Sequence, residues 1–150
     1  MKPLFVLLSI FGLCCLGFYI SGNNAHVFLS GRIAMAIMLI FTSTAHFVFY
    51  KGMMLMLPQW MPLKRFIVYL TGVIEILAGI CLIIPGTKIT AAWLLIGFFI
   101  LLLPANIIAA RKNLDLQKAT YTGNGLNYLW FRIPLQVFFI AWVWYFAIFN

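Results

Sequence analysis

Glu75 and Asp115 are the only acids in this 150-residue chain, and Glu75 stands inside an apolar run. A charge at mid-bilayer costs about 2.5–3.5 kcal/mol on insertion scales, so a residue of this kind needs a partner or a task. The segment Tyr69-Leu70-Thr71-Gly72-Val73-Ile74-Glu75 sets the carboxyl deep in a predicted helix, roughly 13 Å from its start at about 1.5 Å per residue. Thr71 lies one turn earlier on the same face. Gly72 and Gly79 let a neighbouring helix come close. His46 ends Thr42-Ser43-Thr44-Ala45-His46, about 6 Å from the end of its run, with Thr42 one turn deeper on its face. Asn106, in Pro104-Ala105-Asn106, falls at a similar depth. Arg132 and Gln136 open the last run in Trp130-Phe131-Arg132-Ile133-Pro134-Leu135-Gln136.

Four helices thus each carry a polar group in the same half of the membrane. Turned inward together, these groups make one polar pocket around Glu75. The chemistry on offer is proton exchange and hydrogen bonding, with Glu75 either protonated or paired to His46 or Arg132. A structural role is the competing reading. Polar groups in membrane helices bond neighbouring helices at about 0.6 kcal/mol each, and Arg132 also suits snorkelling to headgroups.

Other chemistry finds no template. One intramembrane carboxylate is not an acid pair, and His26 and His46 are expected on opposite sides, against bis-histidine haem ligation. No phosphate loop, zinc motif or nucleophile elbow is present, so neither catalytic residues nor a metal site are expected. Cys14, Cys15 and Cys81 lack metal-ligand spacing. They read as small apolar fillers, the other reading being a disulfide from Cys81 to one of the first two.

The elements that must position these groups follow from composition. Apolar residues make up 65% of the chain and charged residues 8%, with a net charge of +8. A soluble domain carries about 25% charged residues, so a soluble enzyme is excluded, and disorder with it. The bases stand between apolar runs rather than in a stripe with interleaved aromatics, which argues against nucleic acid. Five apolar runs, at about 4–20, 33–50, 66–84, 90–110 and 128–149, are each long enough to span. Polar breaks separate them: Ser21-Gly22-Asn23-Asn24, then Lys51 to Arg65 with Pro58 and Pro62, then Pro85-Gly86-Thr87-Lys88, then Arg111 to Asn127.

Five spans put eight bases (Lys2, Lys51, Lys64, Arg65, Arg111, Lys112, Lys118 and Arg132) on one side and two (Arg32 and Lys88) on the other. Positive charge stays inside, which sets the N-terminus in the cytoplasm and the C-terminus outside. The first run reads as a retained helix; a signal peptide with Lys2 as its basic region is the alternative. The segment 53–62 is apolar, too short to span and broken by prolines. It is expected in the membrane interface, with Trp60 at headgroup depth, as a plain loop or, with Pro58, as a gate over the pocket. The chain divides into an N-terminal helix and loop, 1–30, and a four-helix domain, 31–150.

At these residues the sequence resembles the DoxX-like family of small bacterial membrane proteins. The matching pieces are Phe41-Thr42-Ser43-Thr44-Ala45-His46-Phe47, Leu57-Pro58-Gln59-Trp60-Met61-Pro62, Val68-Tyr69-Leu70-Thr71-Gly72-Val73-Ile74-Glu75, Ala91-Ala92-Trp93, Pro104-Ala105-Asn106-Ile107 and Arg132-Ile133-Pro134-Leu135-Gln136, in order over about 31–149. The resemblance implies an all-α polytopic bundle: a four-helix DoxX-like core, to which residues 1–30 add a fifth span. It implies the bacterial inner membrane and a link to redox systems, since the family name comes from a subunit of a thiosulfate:quinone oxidoreductase. The fold is similar to that of eukaryotic proteins that bind sterols and amphiphilic amines beside intramembrane acids.

The expectation is therefore a pocket of Glu75, His46, Thr42, Thr71, Asn106, Arg132 and Gln136 that binds a small hydrophobic ligand, with quinone the first candidate cofactor. The expected partners are membrane lipid, a redox protein and a second copy of the chain. A scaffold or assembly factor, and a small transporter, are the alternatives.

Overall fold

The computed structural model describes residues 2–22, 26–123 and 125–149. Asn23 and Asn24, part of the first expected turn, lie outside them. Among these described residues six α-helices follow in order: α1 Lys2–Ile20, α2 Val27–Val48, α3 Tyr50–Met54, α4 Lys64–Ile83, α5 Lys88–Arg111 and α6 Gly125–Val143, the last ending in a π-helical turn, Trp144–Ile148. Among the described residues there is no strand, only an isolated antiparallel bridge between Asp115 and Thr120. Five helical stretches, of 19, 22, 20, 24 and 20 residues, are long and apolar enough to cross a membrane. At about 1.5 Å per residue each covers close to the 30 Å or so of hydrocarbon. Their outward faces carry large apolar side chains such as Phe5, Leu70, Leu77, Ile100 and Leu101. This is the architecture of a multi-pass membrane protein.

The start of α2 differs most from the sequence expectation. α2 starts at Val27 rather than 33, because Ser30 bonds back to the His26 carbonyl and carries the helix past Arg32. A boundary after residue 30 therefore falls inside α2. Pro104 and Pro134 lie within α5 and α6 without ending them. Each removes one N–H from the ladder, a loss that membrane helices tolerate where neighbours satisfy the freed groups.

The bundle has two unlike halves. In one, a single apolar core draws on all five spans: Leu7 from α1, Met35, Met38 and Leu39 from α2, Leu82 from α4, Leu95 and Phe99 from α5, and Phe139, Trp142 and Phe146 from α6 and its last turn. Trp142 Nε1 donates to the Gly31 carbonyl at 3.0 Å, which ties α6 to α2 there. The other half, toward Lys2, Lys64 and Arg111, encloses a cavity. α3 and a separate small cluster, Met56 with Ala109 and Leu114, close its end. The three cysteines are free thiols, so the disulfide alternative falls.

Candidate functional site

Glu75 is the twelfth of the 20 residues of α4 and is 5% exposed. Its partner comes from α2, and glycine makes the meeting geometric. A Cβ at Gly72 would stand 2.8 Å from the Cβ of His46, closer than real side chains approach. One at Gly79 would stand 3.2 Å from the Ala36 carbonyl oxygen. Two small residues seven apart thus bring α2 onto α4 along one face. His46 then reaches over Gly72 to Glu75, with Nε2 3.4 Å from Oε1. α3 prolongs the layer beyond α2, and Tyr50 on it rests against Tyr69 of α4. That extension sets His46, near the end of α2, opposite the middle of α4.

Hydrogen-bond bookkeeping locates the protons. The Val68 carbonyl can only accept. Thr71 Oγ1 donates to it at 2.8 Å, which uses the single hydrogen of that hydroxyl. The 3.0 Å contact between Thr71 Oγ1 and His46 Nδ1 then requires the hydrogen on Nδ1, and Nδ1 also lies 3.2 Å from the same carbonyl. With Nδ1 so occupied, Nε2 is the ring nitrogen left to face Glu75 Oε1. Thr42 Oγ1 lies 3.4 Å from Glu75 Oε2 and donates to the Leu39 carbonyl at 3.0 Å. The Thr42 hydroxyl can turn from that carbonyl to donate to Oε2.

A second chain of bonds fixes Asn106. Gln136 Nε2 donates to the Phe99 carbonyl. Gln136 Oε1 therefore faces away and accepts from Asn106 Nδ2 at 3.2 Å. The orientation passes along the chain, because a carbonyl that only accepts fixes which end of each amide follows. Asn106 is left with its Oδ1 making no hydrogen bond among the described residues. Both amides are buried, at 4% and 6% exposure.

These groups line one cavity of about 640 Å³. The structure brings Thr42, His46, Thr71, Glu75, Asn106 and Arg132 into its wall. Gln136 stands behind Asn106 rather than in the wall. Trp60, 79% exposed, and Pro58 lie outside it; Met56 and Leu57, just before them, line it. The rest of the wall is mostly apolar and includes Phe41, Phe49, Ile67, Leu102 and Leu114.

Sequence reasoning missed two parts. One is the loop after α5. Asn113 takes a left-handed conformation, φ 49°, and ends the helix, with Leu114 N bonded to the Ala109 carbonyl at 3.0 Å. Asp115 Oδ1 accepts from the backbone N–H groups of Gln117 and Lys118 at 2.9 and 3.2 Å. The loop so folded lays Asp115, Gln117 and Thr122 along the cavity. The turn-forming run Asn113-Leu114-Asp115 was its one available signal. The other part is the start of α1, where Lys2 and Pro3 reach the wall; nothing in their local pattern marks them.

In a comparison with known families, the model of the Domain of unknown function (DUF8561) matches residues 35–147. The match covers the four spans that carry Thr42, His46, Glu75, Asn106 and Gln136 and leaves α1 outside. No curated protein and no solved structure matches the chain.

Proposed function

The chain belongs to the DUF8561 family, a domain of unknown function, so its task must be argued from its own site, and we propose that it binds a small hydrophobic molecule with a hydrogen-bonding head in the cavity around Glu75. The observation that carries this reading is the buried contact of His46 Nε2 with Glu75 Oε1 at 3.4 Å, set in the wall of a largely apolar cavity. Binding sites of this class combine apolar walls with a few convergent polar groups. A protonated Glu75 donates to a ligand carbonyl, and Asn106 Oδ1 accepts from a ligand hydroxyl. A quinone offers the first group and its quinol the second, which makes this pair the first candidate.

The resemblance to DoxX-like proteins supports the same choice. In that setting the chain is an accessory subunit in the bacterial inner membrane, oriented by its basic end with the N-terminus in the cytoplasm. It supplies position and protons, and a partner redox protein supplies electrons. His46 takes up the proton that replaces the one Glu75 gives.

One observation favours a second reading. The Phe99–Gln136–Asn106 chain ties α5 to α6 with no ligand taking part, as a scaffold's helix lock would. Mass spectrometry of the organic extract from protein purified in mild detergent, with Glu75→Gln in parallel, separates the two. The binding reading expects a stoichiometric small molecule in the wild type, lost in a Glu75→Gln variant of unchanged stability. A variant that keeps the molecule removes the proton role. Phospholipid alone in both samples, with Glu75→Gln destabilised, leaves the scaffold.

A further inference from the structure

The cavity's end toward the loops is shut by tight packing. Met56 is buried against Ala109 and Leu114. Gly52 backs onto the Leu116 carbonyl with no room for a Cβ. Lys112 Nζ donates to the Leu55 carbonyl at 3.3 Å, and Gly123 N to the Asn113 carbonyl at 2.6 Å. A molecule entering here would have to break several of these contacts together.

The side wall differs. α1 lies along α2 and reaches α6, with Leu7 in the core and Phe11 edge-on to Trp142 and Phe146 at 5.1 and 5.4 Å. Those anchors sit one turn and more beyond its start. Its first turn brings Lys2 and Pro3 to a wall that also holds Thr44 and Ala45 of α2 and Arg132 of α6. This turn is held lightly. Leu7 is the only buried residue of α1, the turn's one contact with the core is the partly buried Leu4, and Lys2 has no side-chain hydrogen bond or ion pair among the described residues. The family match leaves α1 out, so the part of the chain that completes this wall is not part of the common four-helix unit.

We infer that the first turn of α1 is the movable wall of the cavity, and that its ligand arrives dissolved in the bilayer, passing between α2 and α6 behind Lys2 and Pro3. This rests on the binding reading above. It assigns Lys2 and Pro3 to the site and restricts the ligand to molecules that partition into the lipid phase. Small motions of a lightly packed helix end open such a path without breaking the core.

The test uses Pro3→Cys with Thr44→Cys in a chain whose Cys14, Cys15 and Cys81 are alanine, reconstituted in lipid nanodiscs and bridged or not with a flexible bis-maleimide. The probe is decylbenzoquinone, its uptake and release followed by quenching of tryptophan fluorescence. Bridging is expected to slow uptake and release alike, by about tenfold or more. Leu7→Ala, which loosens the anchor of α1, is expected to speed both. A bridged protein that exchanges probe at the unbridged rate, or a pair of cysteines that never bridges, overturns the inference while the cavity reading stands. Absence of saturable probe binding in every form, bridged or free, removes the cavity reading and this inference with it.

Discussion

His46 and Glu75 meet across the α2–α4 interface with Nε2 3.4 Å from Oε1, while the other ring nitrogen of His46 is anchored on Thr71. The anchor matters because the Val68 carbonyl beside it can only accept, which favours the tautomer with hydrogen on Nδ1. A histidine free to turn would share its protons with whatever came near. This one holds a hydrogen on Nδ1 and leaves only Nε2 to answer the carboxyl. Nitrogen-15 NMR of labelled protein is expected to show Nδ1 protonated, with Thr71→Val broadening or shifting that signal. A bare Nδ1 in the wild type would refute the proton bookkeeping.

Glu75→Gln and Glu75→Ala are expected to part company. Gln keeps the shape and can still donate to Nε2, so thermal unfolding in nanodiscs should move little while ligand retention falls. Ala leaves His46 and Thr42 without their partner and opens a gap, a loss of about 3–5 kcal/mol. Equal stability of the two variants would mean that the pair contributes nothing to the bundle.

Gly72 predicts a clash with a direction. A side chain there meets the Cβ of His46, so Gly72→Val should force α2 from α4 and cost about 1–3 kcal/mol as overpacking, with loss of ligand retention. Gly97 in α5 faces open space, and Gly97→Ala should be neutral or stabilise by about 0.5–1 kcal/mol. Two unfolding curves decide this.

Asn106 and Gln136 should behave as a unit. Gln136→Leu frees the Phe99 carbonyl and the Asn106 amide, and Asn106→Leu frees Gln136, each at about 1–3 kcal/mol for stranding a buried group. The double variant removes both amides and should cost less than the sum of the singles. A strictly additive double-mutant cycle would show that the two do not interact.

Much of this was present in the one-dimensional record. An apolar content of 65% in five long runs leaves no solvent but a bilayer, since each run buries its own backbone polar groups by becoming helical. Glu75 drew attention for the same reason: the cost of burying a charge is local and needs no fold to be known. The expectation that Thr42, His46, Thr71 and Asn106 lie at one level of the bundle came from helical rise alone. What the sequence could not supply was rotation and register. Depth does not say which way a side chain faces, and only the packing of α2 on Gly72 and Gly79 turns His46 toward Glu75. The same lack placed Gln136 in the wall when it stands behind Asn106, and offered Trp60 and Pro58 as a gate when Met56, Leu57 and the loop after α5 close the end. Lys2 and Pro3 were invisible as site residues because their role is a contact between distant parts of the chain. Such contacts depend on how helices associate, and association is decided by shape over many residues rather than by any short pattern.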